Sequence, residues 1–233
     1  PYDYQAYSES TNGGSVYFDG SDYLTIASGT TNLDLGTGDL TIEAWVYPEE
    51  TSNSYPTFLG SVSGWSSGAS GHRFDNTGYA NKFWFGLNGA GGVSSGDPFM
   101  ASADTFSHNT WHHYVITRSG NTWRMFVNGN LQEVQTYSGS YNLNYGGTRL
   151  GYSTWDGANG YWKGSVSDVR VVKGSVVTAY QTSSTTEGDQ IFTPPTAHLT
   201  ANTNTSLLPF GTTPHLSDHT PGTYVKPART HQI

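Results

Sequence analysis

The chain contains no cysteine. Disulfides, zinc–thiolate centres and thiol catalysis are thereby excluded together. Compartment is not decided by this, because a core of the size that 233 residues allow needs no covalent staple. Charge is scarce as well, at 12% of residues, about half the usual share. Ten Lys and Arg stand against 18 Asp and Glu, for a formal net charge of −8. Nucleic-acid binding needs a basic footprint to neutralise phosphates, and no basic cluster exists. An acidic coat also repels anionic membranes, no apolar run approaches the ~20 residues of a spanning helix, and no leader is visible after Pro1. No long segment carries a helical period and no repeat of fixed length recurs. The expectation is therefore neither nucleic-acid binding nor membrane insertion.

What is present is glycine, 29 residues, and aromatic side chains, 14% of the total with 16 Tyr and 7 Trp. Disordered chains are poor in aromatics, so the composition indicates a turn-rich β protein. Short alternating runs separated by turn residues bear this out. "SVYFD" (15–19) and "DYLTIA" (22–27) flank Gly20-Ser21, a two-residue hairpin signal. "LTIEAWVY" (40–47) ends at Pro48, and "KFWFGL" (82–87) alternates Phe83, Phe85 and Leu87 against Trp84. "WHHYVITR" (111–118), the turn "SGN" and "TWRMFV" (122–127) form the strongest hairpin signal, closed by Asn128-Gly129. "TRLGY" (148–152) and "YWKGSVSDVRVVKG" (161–174) follow. In the last of these, Val166, Asp168, Arg170 and Val172 share one parity, so a regular strand puts acid and base on a valine-bearing face. "SVVTAYQ" (175–181) fits one short helical turn.

After Ile191 the character changes. Pro194 and Pro195 lack the ladder donor, which excludes a central strand there, whereas "TSLLPF" (205–210) can return as an edge strand. The segment 211–233 is Pro- and His-rich with few apolar residues and cannot build a core. The expected organisation is an N-terminal arm at 1–12, one sandwich domain at 13–210 and an extended C-terminal arm at 211–233, either a loose tail or an arm that orders on a neighbouring subunit.

"GSVYFDGSDYLTIA", "LTIEAWVYP", "WHHYVITRSGNTWRMFVNG", "RLGYS" and "GSVSDVRVVKG", in that order and spacing, resemble laminin-G-like domains of the concanavalin A-like superfamily. The resemblance covers about residues 13–210. It implies an all-β fold: a concanavalin A-like jelly-roll β-sandwich of two antiparallel sheets. It further implies binding of sugars or proteins without catalysis. The trailing "VVKGSVVTAY…FTPPTAHLTANTNTSLL" is similar to laminin-G-like modules of bacteriophage structural proteins.

Glycoside hydrolases of the fold resemble one another in a strand of alternating carboxylates, set so that acid and nucleophile face one sugar. No strand here holds two carboxylates at i, i+2. A serine triad lacks its Gly-x-Ser-x-Gly context. His112 and His113 are strand neighbours on opposite faces and cannot share a metal, and His113, like Asp168 and Arg170, is read as scaffold. The resemblance implies a rim calcium, for which Asp19 and Asp22 are the first candidates and Asp156 with Asn159 the second; Asp in a tight turn also simply bonds its own backbone. For sugars, aromatic faces and planar polar groups are the working parts. The candidates are Trp65, Trp84, Tyr152, Trp155, Asp156, Asn159, Tyr161 and Trp162, whereas Trp45, Trp111 and Trp123 are expected in the scaffold.

The expected function is that of a non-enzymatic structural or adhesive protein of a phage virion, a head decoration or tail appendage. Its expected partners are other copies of itself, neighbouring virion proteins and surface glycans, and its expected place is the virion surface or the extracellular medium. The alternative is a secreted or cell-surface carbohydrate-binding module, and a glycoside hydrolase on the same fold ranks third.

Overall fold

The structure is a computed structural model that describes residues 15–26, 33–61, 70–87, 99–143 and 147–208, and the backbone alone of 225–227. Trp65, the N-terminal arm at 1–12 and most of the C-terminal arm lie outside the described residues. The first sheet runs in the order β1 (Val16–Asp19), β14 (Lys163–Lys173), β4 (Leu40–Pro48), β9 (His112–Ser119), β10 (Thr122–Val127) and β11 (Asn130–Thr136), with β15 (Thr205–Leu207) also pairing β14. In the second sheet the order is β16 (Val225–Pro227), β2 (Leu24–Ile26), β13 (Thr148–Leu150), β5 (Thr57–Ser61), β6 (Ser70–Asp75), β7 (Lys82–Leu87) and β8 (Met100–Ala101). β3 (Asp34–Gly36) and β12 (Tyr141–Asn142) form a separate ladder. Every pairing is antiparallel. The expected all-β sandwich is what forms.

Period-2 patterning explains the core. Phe83, Phe85 and Leu87 of β7 and Ile42, Ala44 and Val46 of β4 meet between the sheets with Phe58, Phe74, Tyr114, Ile116, Trp123 and Trp162. Burying each such side chain contributes about 1.5–3 kcal/mol. One polar group lies among them. His72 stacks on Phe85 at 4.7 Å, with Nδ1 2.9 Å from the Tyr114 hydroxyl and Nε2 2.8 Å from that of Tyr141. Burial drives its imidazole down to about 3, so the ring is neutral and one nitrogen accepts while the other donates.

Two places depart from the expected local structure, the Gly20-Ser21 corner and the middle of β14, and one turn is shorter than expected. β9 and β10 pair from Ser119 and Thr122, so the turn is Gly120-Asn121, one residue shorter than expected. β10 and β11 join through Asn128-Gly129, both at positive φ (53° and 84°), as a twisted hairpin turn requires. The Gly20-Ser21 hairpin does not form. β1 pairs β14 in one sheet and β2 pairs β13 in the other, so the chain crosses between sheets there. Gly20 at φ 94° makes the corner, and Asp22 Oδ1 accepts from the Asp19 N–H at 3.0 Å to hold it.

The second departure is β14. Its register to β4 shifts between Ser167 and Arg170, where two residues oppose Ala44 alone. Asp168 sits in this bulge at φ 46°, a conformation that costs about 1–3 kcal/mol and that Asp tolerates better than most residues. Parity therefore switches. Val166, Val169 and Val171 face the core, while Arg170, opposite Glu43, turns to the outer face. The expected uniform alternation fails because one extra residue rotates everything after it.

Most of that outer face is covered, the end at β1 excepted, where Tyr17 is 52% exposed. Residues 175–204, with a short 3-10 turn at Thr178–Tyr180, lie across it as a third layer, and Tyr180 and Phe192 join Val115, Phe126 and Leu131 in a second apolar cluster. The layer is stitched down by backbone bonds from Leu131 N to Asp189 O, Ile191 N to Gly129 O and Lys173 N to Asn204 O. Beneath it Glu43 is fully buried. Its Oε1 accepts from Arg170 Nε at 2.7 Å, and its Oε2 accepts from the Tyr180 hydroxyl at 2.5 Å and lies 3.3 Å from His113 Nε2. Arg170 also donates to the Thr200 carbonyl at 2.9 Å. Asp168 Oδ1 takes His198 Nδ1 at 3.2 Å and the Leu199 N–H at 3.3 Å. The scaffold reading of Asp168, Arg170 and His113 describes these contacts. Removing one partner of a buried ion pair costs about 3–5 kcal/mol. Arg170→Ala is expected to lower the melting temperature by roughly 10 °C, read by calorimetry, while ligand binding to the folded variant stays as in the parent; the reverse pattern would place Arg170 in a site.

Candidate functional site

With the outer face of the first sheet covered, the outer face of the second carries the chemistry. Across it, Arg149 of β13, Gly60 of β5, Gly71 of β6 and Gly86 of β7 are paired in register and form one row. Three glycines side by side leave a shallow trough. The segment after β13 lies along this trough. A Cβ on Gly60 would sit 3.1 Å from the Tyr152 carbonyl oxygen, and the Trp155 indole is 3.6 Å from a Cβ placed on Gly71. At Gly86 the same atom would fall 2.0 Å from the Trp84 ring and 2.8 Å from Trp155. Only glycine admits the two indoles there.

The expected loop "STWDGANG" is a kinked 3-10 segment, Thr154–Gly160, capped by Ser153 Oγ, which accepts from the Trp155 N–H at 3.2 Å. It delivers Asp156 to Arg73 of β6, whose Nη1 is 3.5 Å from Asp156 Oδ1 and whose Nη2 is 2.8 Å from Asp75 Oδ2. The Arg73 guanidinium is stacked between Trp84, at 3.8 Å, and Tyr55, at 4.6 Å. Trp84 is only 1% exposed and meets Trp155 edge-on at 6.2 Å. As a ligand platform Trp84 is thus corrected: Arg73 already occupies its face. Trp162 is corrected likewise, being in the core. Burial raises the Asp156 carboxyl to about 6, with Asp75 adding to the rise and Arg73 opposing it.

The exposed part of this face is aromatic. Tyr152 and Tyr161 stack at 4.3 Å, Tyr23 stacks on Tyr152 at 5.3 Å, and all three rings are half-buried. A β-bridge between Tyr152 and Tyr161 holds the two rings together. Asn53 Nδ2 donates to the Tyr161 carbonyl at 2.9 Å, which ties the platform to the preceding corner. Arg149 lies over Tyr23 at 4.2 Å and over Tyr152 at 5.2 Å. Of the expected site residues, Tyr152, Trp155, Asp156 and Tyr161 come together with Trp84 beneath them. Asn159 is exposed, and its backbone carbonyl accepts from the Tyr55 N–H at 3.1 Å. Tyr23, Arg149 and Arg73 escaped the sequence reading. Only the odd parity of Arg149 between Thr148 and Leu150 hinted that it faces away from the core.

The calcium candidates behave as turn formers. Asp19 Oδ1 accepts from both the Ser21 N–H (2.8 Å) and its hydroxyl (2.7 Å), and Asp22 Oδ1 accepts from the Asp19 N–H. Calcium takes 6–8 oxygen ligands. Each of the two carboxylates commits an oxygen to the turn, and among the described residues no three His, Asp or Glu converge. Asp156 is turned to Arg73 instead. His112 and His113 diverge as expected, Nε2 of His112 lying 2.9 Å from the Ser107 carbonyl oxygen.

A sandwich of two antiparallel sheets, here with aromatic rings gathered on one outer face, is the architecture that the comparisons share. Residues 18–180 match a laminin-G model of the concanavalin A-like lectin/glucanases superfamily, and the chain belongs to that family. No curated protein matches the sequence. Among solved structures it is similar to domain 4 of AbnA, a GH43 extracellular arabinanase from Geobacillus stearothermophilus, in complex with arabinotriose (18% identity, TM-score 0.53, covering 75% of this chain and 78% of that one). It is also similar to the CBM40 of the Ruminococcus gnavus IT-sialidase bound to α2,3-sialyllactose (12%, 0.50, 70% and 91%). A third is a Bacteroides ovatus protein described as a candidate carbohydrate binder (15%, 0.51), of which the match covers 66% of this chain but 42% of the other. At these identities the likeness establishes the fold.

Two outcomes are expected from this geometry. Gly86→Ala displaces Trp155 from the trough and shifts the tryptophan emission to longer wavelength; an unchanged spectrum would mean the indoles are not packed as described. The second concerns pH. A carboxyl raised from 3.8 to about 6 on folding is favourable when protonated, so its contribution is complete below pH 3.8 and lost as pH rises through 6. Asp156→Asn is therefore expected to gain up to about 3 kcal/mol of stability relative to the parent between pH 4 and pH 7, measured by urea unfolding at each pH. His72, with the opposite sign, contributes equally to both proteins and cancels.

Proposed function

We propose that the protein is a non-catalytic glycan-binding module and that the sugar rests on the Tyr23–Tyr152–Tyr161 platform beside Trp155. The stacked platform carries this reading. Half-exposed rings locked by mutual stacking and a β-bridge present flat apolar faces at no further conformational cost, which is what the CH-rich face of a pyranose requires. The Arg149 fork stands at its border with donors for the substituents of the ring. The similar structures titled as arabinotriose and sialyllactose complexes support the class.

Hydrolysis is not proposed. Arg73 occupies the space between Asp75 and Asp156, where a scissile bond and its water would have to lie. Glu43 is enclosed by Arg170, His113 and Tyr180. A virion setting is compatible with the same module acting as an adhesin, and it is supported by the resemblance of the segment from Val171 to Leu208 to phage modules. Neither a calcium ion nor a second copy is required by the platform.

Titration calorimetry against neutral and acidic oligosaccharides is expected to find a ligand whose affinity falls about tenfold in Tyr152→Ala. The melting temperature should change little. Loss of both Tyr152 and Tyr161 without effect on affinity would remove the platform from the site, and no binding across the panel would remove the reading.

A further inference from the structure

The described arginines other than Arg149 each have a hydrogen-bond or charge partner. Arg73 pairs with Asp75 and Asp156, and Arg170 with Glu43. Arg118 donates to the carbonyls of Gly120, Gly36, Gly139 and Tyr137, and Arg124 to that of Ser184. Arg149 alone among the described arginines touches only rings: its guanidinium lies over Tyr23 and Tyr152, and its buried Nε has no hydrogen-bond partner among the described residues. No carboxylate among the described residues pairs with it. The closest acidic influence on Tyr152 is Asp156, whose carboxylate is turned to Arg73. In a chain with ten Lys and Arg against 18 Asp and Glu, counter-charges are abundant, so a cation left without one is notable chemistry.

The cost of this arrangement is physical. A half-buried guanidinium loses part of its hydration, and cation–π contact at two rings returns about 0.5–2 kcal/mol without using any of the five N–H donors. The stacking fixes the fork in plane at the edge of the aromatic platform. A planar fork with free donors is the geometry that takes a carboxylate or sulfate by paired hydrogen bonds. Arg149 is also the end of the glycine row, so a sugar on the tyrosines would bring an acidic substituent to the fork rather than into the trough.

We infer that the ligand of this face is an acidic glycan, a sugar bearing a carboxylate or sulfate, with Arg149 as its anion receptor and Tyr23 and Tyr152 as the support that holds the fork. The inference rests on the glycan-binding reading and adds its substrate class. The long-range field of a protein with net charge −8 repels such a ligand, so selectivity resides in this one contact.

The test uses the full chain and ligand pairs that differ in charge alone: tetragalacturonate against its methyl ester, and dextran sulfate against dextran. The parent protein is expected to bind at least one acidic member at least tenfold more tightly than its neutral counterpart, and the pair that shows the preference identifies carboxylate or sulfate as the anion. Arg149→Gln is expected to abolish that preference, so that acidic and neutral members bind with equal affinity, whereas Arg149→Lys restores only part of it. Equal binding of acidic and neutral members by the parent protein overturns the inference and leaves the glycan reading standing; this comparison needs no variant to fold. A preference that survives Arg149→Gln also overturns it. Absence of binding to all four probes and to the wider panel overturns the glycan reading itself.

Discussion

The carboxylate of Glu43 sits where the central strand β4 faces β14 and β9, and its two oxygens gather Arg170, Tyr180 and His113 at one buried point. On a solvated sheet such an ion pair would contribute about 0–1 kcal/mol. Here it is dry, so every partner is obligatory: an unsatisfied charge at this depth costs several kcal/mol. Tyr180 and Thr200 belong to the segment after β14, and Arg170 reaches both the carboxylate and the Thr200 carbonyl. The network thus fastens the third layer to the sheet, and the layer in turn excludes the water that would weaken the network. The strained Asp168 fits the same logic. Its bulge turns a carboxylate outward at the point where His198 and Leu199 cross, and the cost of its positive φ is offset by bonds to that crossing segment.

This covering has a functional consequence. A sandwich has two outer faces, and the first sheet has lost one to its own chain. The candidate site lies on the second sheet, where the surface is made the opposite way. There the backbone itself is exposed as a glycine row, and a short 3-10 segment is laid on it to position aromatic rings. Trp155 and Trp84 fill the trough over Gly71 and Gly86, and the Arg73 clamp fixes the segment by its Asp156. The tyrosine platform then stands next to a rigid, packed base and not on a free loop. Rigid placement is what lets weak stacking contacts add up to recognition.

Much of the scaffold was legible because strands have a short period and hairpins a specific chemistry. β4, β7, β9, β10 and β14 lie where the alternation puts them, and Asn128-Gly129 turns as its residues demand. The failures have a common cause. Gly20-Ser21 has hairpin residues but a sheet-to-sheet corner, since the same left-handed glycine serves both and only the pairing partners of β1 and β2 distinguish them. The bulge at Asp168 adds one residue without any change in composition, yet it reverses the facing of Arg170 relative to Val166. In the site, Tyr152, Trp155, Asp156 and Tyr161 were identifiable because they crowd into one aromatic loop. Tyr23 and Arg149 were not, the one standing just before β2 and the other in the middle of β13.

By itself the sequence determined the class of fold, most of the long strands, the Asn128-Gly129 turn and the absence of thiols. These depend on local period, on the φ preferences of Gly, Asn and Pro, and on composition, all of which act within a few residues. The tertiary structure alone decided that the C-terminal segment covers one sheet, that Trp84 serves as the base of the site, and that Arg149 stands without a counter-charge beside stacked tyrosines. Each of those depends on which residues from distant strands share a register, and a row such as Arg149, Gly60, Gly71 and Gly86 exists only once four strands have paired.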